Sequence, residues 1–111
     1  MSRLIFALAV AAAPALAMAQ EHAHGTADGA AAAYAAANAA MHEAMAIDYS
    51  GDPDVDFARA MIPHHEGAIA MAEVLLANGE DPALRQMAGE IISAQEAEIA
   101  VLRQWLAEHG G

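Results

Sequence analysis

Residues 54–84 read DVDFARAMIPHHEGAIAMAEVLLANGEDPAL, and this stretch decides the fold. Phe57, Met61, His64, His65, Ala68, Met71, Ala72 and Leu75 fall on one side of a helix at about 100° per residue. That helix is expected from about Asp54 to Asn78. Pro63 lies inside it, where it removes a backbone hydrogen bond and should kink the helix. Asn78-Gly79 supplies a stop, and Asp81-Pro82 opens a further helix as cap and first-turn proline. Two helices joined by so short a break pack antiparallel.

Reading outward, Leu84, Met87, Ile91, Leu102, Trp105 and Leu106 mark the buried face of the last helix until Gly110. Upstream, Ser50-Gly51-Asp52-Pro53 is a breaker, and Asp52 or Asp54 can cap the helix that follows. Before it, Ala30 to about Tyr49 is alanine-rich, with Tyr34, Asn38, Met41, Met45 and Tyr49 at helical steps. Gln20 to Gly29 has two histidines, two acids and two glycines without an apolar period, and reads as a flexible tail. The expectation is an all-α chain: a small antiparallel, up-down-up bundle of three main helices over residues 30–111. Its core is thin, so pairing into a larger bundle as a homodimer is expected too.

Composition narrows the function. Of 111 residues, 33 are alanine and five are aromatic, which suits helices and disfavours a sandwich or barrel. Fifteen acids stand against four arginines and no lysine, for a formal charge of −11. Binding nucleic acid needs clustered cations, so that role is excluded, and the same deficit argues against docking on anionic lipid. With no cysteine there is no disulfide, thiolate zinc site or thiol nucleophile. Met1-Ser2-Arg3, the apolar run Leu4 to Leu16, and Ala17-Met18-Ala19 have the layout of a signal peptide over residues 1–19, cleaved after Ala19. The product is expected to be periplasmic or secreted, with no membrane segment left after cleavage.

Polar residues inside the apolar faces carry the chemistry. Gln95 and Glu98 fall within the arc of Ile91 and Leu102, where an unpaired carboxylate is costly. His64 and His65 share the arc of Met61 and Ala68. Counting from the turns puts His65 level with Gln95, Met61 or Ile62 level with Glu98, and Met41 and His42 level with Met61 and Ile62. Met41, His42, Met61, His64, His65, Gln95 and Glu98 are therefore expected in one layer, to within a turn of roughly 5 Å. Met41 and Met45, like Met61 and His65, are spaced i, i+4 and can converge on one ion. Thioether and imidazole together suit copper, Cu(I) above all. Gln95 and Glu98 are expected to orient the imidazoles rather than to ligate. Met71 falls near Met87, as a second soft site or as ordinary core.

Each methionine also has a plainer reading as a core filler, and a lone histidine as a hydrogen-bonded core residue. Whether His64 or His65 points inward stays open at this level. Cleavage after Ala19 would expose Gln20, Glu21 and His22, whose amine, amides and imidazole could hold Cu(II) in a plane. A zinc-protease pattern begins at His65-Glu66 and fails at Ile69, and the Glu-x-x-His spacing of di-iron bundles occurs only in the tail, at Glu21 to His24.

The run Asp56 to Ala72, DFARAMIPHHEGAIAMA, resembles the signature of the domain of unknown function 305 family, small exported bacterial proteins with a histidine pair. Ile91, Gln95, Glu98 and Ile99, followed by Trp105-Leu106, resemble its second block. The resemblance implies a ferritin-like helical bundle and, from members linked to copper handling, periplasmic binding of copper or silver through Met and His. By position it carries over Met61, His64, His65 and Met71, with Gln95 and Glu98. Leu102 stands where many relatives have methionine. The leading expectation is a copper-binding protein without turnover, not an enzyme, that sequesters the ion or hands it to a copper-handling partner protein. The alternative is a helical interaction module that binds no metal and recruits a partner through its apolar face.

Overall fold

A computed structural model describes residues 26–111. It contains three helices, α1 (Ala27–Ala44), α2 (Pro53–Asn78) and α3 (Pro82–Glu108), and no strand among the described residues. The signal segment 1–19 and the trio Gln20, Glu21 and His22 lie outside the described residues. None of the described helices is long and apolar enough to cross a membrane.

Both helices of the quoted stretch form from their caps inward. Asp52, not Asp54, caps α2 by accepting from the amides of Asp54 and Val55, with Pro53 in the first turn. Asp81 caps α3 through the Leu84 amide, followed by Pro82. The join between them is locked from α3: the Arg85 guanidinium donates to the carbonyls of Leu76 (2.7 Å) and Gly79 (2.9 Å). Those oxygens have lost their helical partners, so a cation at the end of α2 suits them. Gly79 is extended (φ −81°), and its amide reaches the Leu75 carbonyl at 2.6 Å, so close that a Cβ would meet that oxygen. Across Pro63 the helix continues as one element.

The first helix departs from expectation at both ends. It starts at Ala27 rather than Ala30, because Thr26 accepts from the Gly29 amide and caps it. Residues 26–29 therefore belong to the bundle, not to the tail. It stops at Ala44, short of Tyr49; Ile47, Asp48 and Tyr49 are weak helix formers, and the loop is held in another shape. Asp56 accepts from the Ser50 amide (2.8 Å), the Ser50 hydroxyl (2.8 Å) and the Gly51 amide (3.0 Å). The Ser50 amide bond above all keeps the Asp56 carboxyl below the usual carboxylate range. Gly51 supplies the one positive φ the loop needs, +91°.

The three helices do not close around a shared core. α2 is central and packs against both others, whereas α1 and α3 do not pack together. The α2–α3 seam buries Ala58, His65, Ala72, Ala88, Ile99 and Leu106. α1 buries none of its residues and lies on the opposite side of α2, against Pro63, Gly67 and Ala70. Met41 lies across Gly67, where a Cβ would overlap the methionine's Sδ and Cγ. Gly67→Ala should favour α2 by up to about 1 kcal/mol of intrinsic propensity yet displace Met41 and loosen α1. Hydrogen exchange should show faster exchange confined to α1 amides; unchanged α1 protection would contradict this packing.

Candidate functional site

The histidine pair is split by the helix that carries it. His65 points into the α2–α3 seam and is 8 % exposed, while the next residue, His64, is turned out to solvent. Their rings stand edge to face with centroids 6.1 Å apart. The inward ligand candidate is thus His65.

Across the seam, His65 Nε2 donates to Glu98 Oε2 of α3. That is one turn further along α3 than the level expected from the turns, which had paired His65 with Gln95. Glu98 itself is exposed and has no partner beyond His65 among the described residues. Through that bond its carboxylate holds one edge of the imidazole. With the Nε2 proton fixed by an acceptor, the neutral ring carries its lone pair on Nδ1. His65 Nδ1 is buried and has no hydrogen-bond partner. A buried acceptor left unpaired costs on the order of 1–3 kcal/mol, so the atom calls for an explanation.

His65 and Glu98 line an open groove of about 390 Å³ together with Phe57, Met61, Val101 and Leu102. It continues towards Asp54 and Trp105. The walls are apolar apart from the imidazole and carboxylate. Met61, one turn before His65, brings a thioether to the same groove.

The expected single layer of seven residues does not exist. Met41 is on the far side of α2 against Gly67, and His42 and His64 are exposed. Met45 caps the end of α1, and Gln95 is half-buried and lies outside the groove of His65 and Glu98. Asn38, placed by sequence on the inner face of α1, is exposed, and Ala37 faces α2 instead. The physical cause is α1's position: it packs on the face of α2 that points away from α3, so its donors cannot reach His65. Met71 and Met87 line a separate groove of about 200 Å³ with Tyr34, Leu75, Leu84 and Ile91. Among the described residues, no three His, Asp or Glu side chains gather into a group that could hold an ion. Val101 went unnoticed in the sequence, although its place three residues after Glu98 and four before Trp105 continues a helical stripe.

A family profile described as "Domain of unknown function (DUF305)" matches residues 7–106. The chain is also similar to "Uncharacterized protein L153" of Acanthamoeba polyphaga mimivirus, 36 % identical over 55 residues. That match covers 50 % of this chain and 36 % of the viral protein, so the chain spans about a third of that relative's length.

The geometry separates the two histidines. His64→Ala should change stability by less than about 0.5 kcal/mol, as expected of an exposed side chain. His65→Ala should cost about 1–3 kcal/mol, and combined with Glu98→Ala should cost less than the two single changes added. Urea unfolding of the four variants measures this. Equal losses for His64 and His65, or strict additivity of His65 and Glu98, would contradict the pairing.

Proposed function

Because the chain belongs to the domain of unknown function 305 family, a grouping that names no activity, we propose its function from the site: it binds a soft monovalent metal ion, Cu(I) first, at His65 and Met61. The ion is cargo, sequestered or passed on without turnover. With the leader read at residues 1–19, the setting is the periplasm or the exterior. One observation carries the reading: His65 is buried, its Nε2 is engaged by Glu98, and its Nδ1 has no partner.

The donor chemistry fits. A carboxylate holding one imidazole nitrogen fixes the tautomer and makes the other nitrogen a better ligand. A cation at Nδ1 satisfies an atom that otherwise remains desolvated and unpaired. Met61 adds a soft, uncharged sulfur from the same helix face and groove. Imidazole with thioether prefers Cu(I) or Ag(I) over Mg(II) or Ca(II), which demand oxygen. The apolar walls of Phe57, Val101 and Leu102 limit water at the ion, which favours the lower oxidation state. Met41, His42, Met45 and His64 do not belong to this centre. Met71, grouped with Met87 in the other groove, is not part of it either.

Thermal unfolding followed by far-UV circular dichroism, anaerobic and under reducing conditions, tests the proposal. Cu(I) should raise the midpoint, by about 2.7 kcal/mol of stabilisation at free metal 100 times the dissociation constant, and Mg(II) should not. The gain should vanish in His65→Ala, weaken in Met61→Leu and survive in His64→Ala. No Cu(I) shift, or a shift untouched by His65→Ala, would overturn it.

A further inference from the structure

The two helices of the central hairpin each carry a second apolar stripe, which α1 touches only at one end, where Tyr34 enters the groove of Met71 and Met87. On α2, Phe57, Met61, His64, Ala68, Met71 and Leu75 follow one another at steps of four and three. On α3, Leu84, Met87, Ile91, Ala94, Glu98, Val101 and Trp105 do the same. Alternating steps of three and four are the a/d spacing of helices that pack side by side. Neither stripe is the one that joins α2 to α3, which runs through Ala58, His65 and Ala72 on one helix and Ala88, Ile99 and Leu106 on the other. The two spare stripes lie on the same side of the hairpin, since their residues line common grooves at both of its ends. Phe57 (61 % exposed), Val101 (66 %), Leu84 (47 %), Met87 (53 %) and Met71 (42 %) all belong to them. Large apolar side chains gathered this way mark an interaction face.

We infer that this face is the interface of a symmetric dimer, in which a second copy lays its own α2–α3 hairpin across the first to complete a four-helix bundle. Three features select a second copy as the occupant. The first is pattern: both stripes have the spacing that a like pair of stripes requires, which suits an isologous two-fold contact. The second is charge. The chain is strongly acidic, but between Phe57 and Leu75 and between Leu84 and Trp105 the stripes contain one acid, Glu98, and one histidine, His64. Both occur near the middle of the hairpin, where a two-fold axis would bring His64 of one copy towards Glu98 of the other. Glu98 uses only Oε2 on His65. The third is area. The stripes span about 27 Å on α2 and about 32 Å on α3, and two helices about 9 Å apart make a face about 18 Å wide. That buries about 500 Å² per copy, close to the total of about 1,000 Å² at which a specific interface begins. The groove of Met61, His65 and Glu98 opens onto this face, so a second copy closes it.

Sedimentation equilibrium of the purified protein with a chelator present tests the inference apart from any metal reading. The expected result is a species of twice the chain mass that dissociates on dilution. Phe57→Glu and Val101→Glu, each at an exposed position, should shift it to one chain mass while the circular dichroism stays helical. Ala36→Glu, on the exposed side of α1, should leave the dimer intact. A single-chain mass at every concentration, an open-ended series of larger species, or a dimer indifferent to both stripe variants would overturn it.

Discussion

The contact between α2 and α3 is the constraint on which the rest of this chain depends. Ala58, Ala72 and Ala88 keep it narrow, so the two backbones run close enough for Ile99 and Leu106 to fill what space remains. A seam built from such small residues buries little apolar surface, and no large side chain is fully enclosed among the described residues. Its stability therefore leans on details at the two ends and the middle: aspartate-capped helix starts with proline in the first turn, the Arg85 guanidinium on the carbonyls of Leu76 and Gly79, and the His65–Glu98 hydrogen bond. The Arg103–Glu66 pair also joins the helices, but both side chains are exposed and such pairs contribute little.

Placing a histidine in so thin a seam has consequences for chemistry. An aliphatic residue would fit the apolar surroundings better, since imidazole brings two polar nitrogens that must each find a partner. Glu98 supplies one and leaves the other bare. The same bond that secures α2 to α3 thus fixes the ring with a lone pair on the buried nitrogen, so fold and proposed metal affinity rest on one interaction. The open groove beside it is walled by Met61, Phe57 and Val101.

Much of this was written in the sequence, for reasons tied to particular residues. Asp52-Pro53, Asn78-Gly79 and Asp81-Pro82 are strong local signals, and α2 begins and ends, and α3 begins, where these residues demand. The apolar periodicity of α2 puts His65 on an inner face, and counting from the turn sets Met71 level with Met87, with which it lines one groove. The rotation and depth of α1 were not legible. Alanine on every side of that helix leaves no stripe to say which face is inward, so counting from the turns puts Met41 and His42 in a layer that α1 cannot reach. The level of Glu98 against His65 was missed by one turn, because counting back from a loop cannot sense how the loop tilts the helices. Choosing between His64 and His65 needed the actual helix rotation, since both flank the same arc.

The most direct measurement is the tautomer of His65, read from the ring nitrogen shifts in a long-range proton–nitrogen NMR correlation of labelled protein at neutral pH. The expected result is a proton on Nε2, facing Glu98, with Nδ1 bare, and an Nδ1 resonance that moves when Cu(I) is added. A proton resident on Nδ1, or a metal-free and metal-loaded ring with the same shifts, would contradict it.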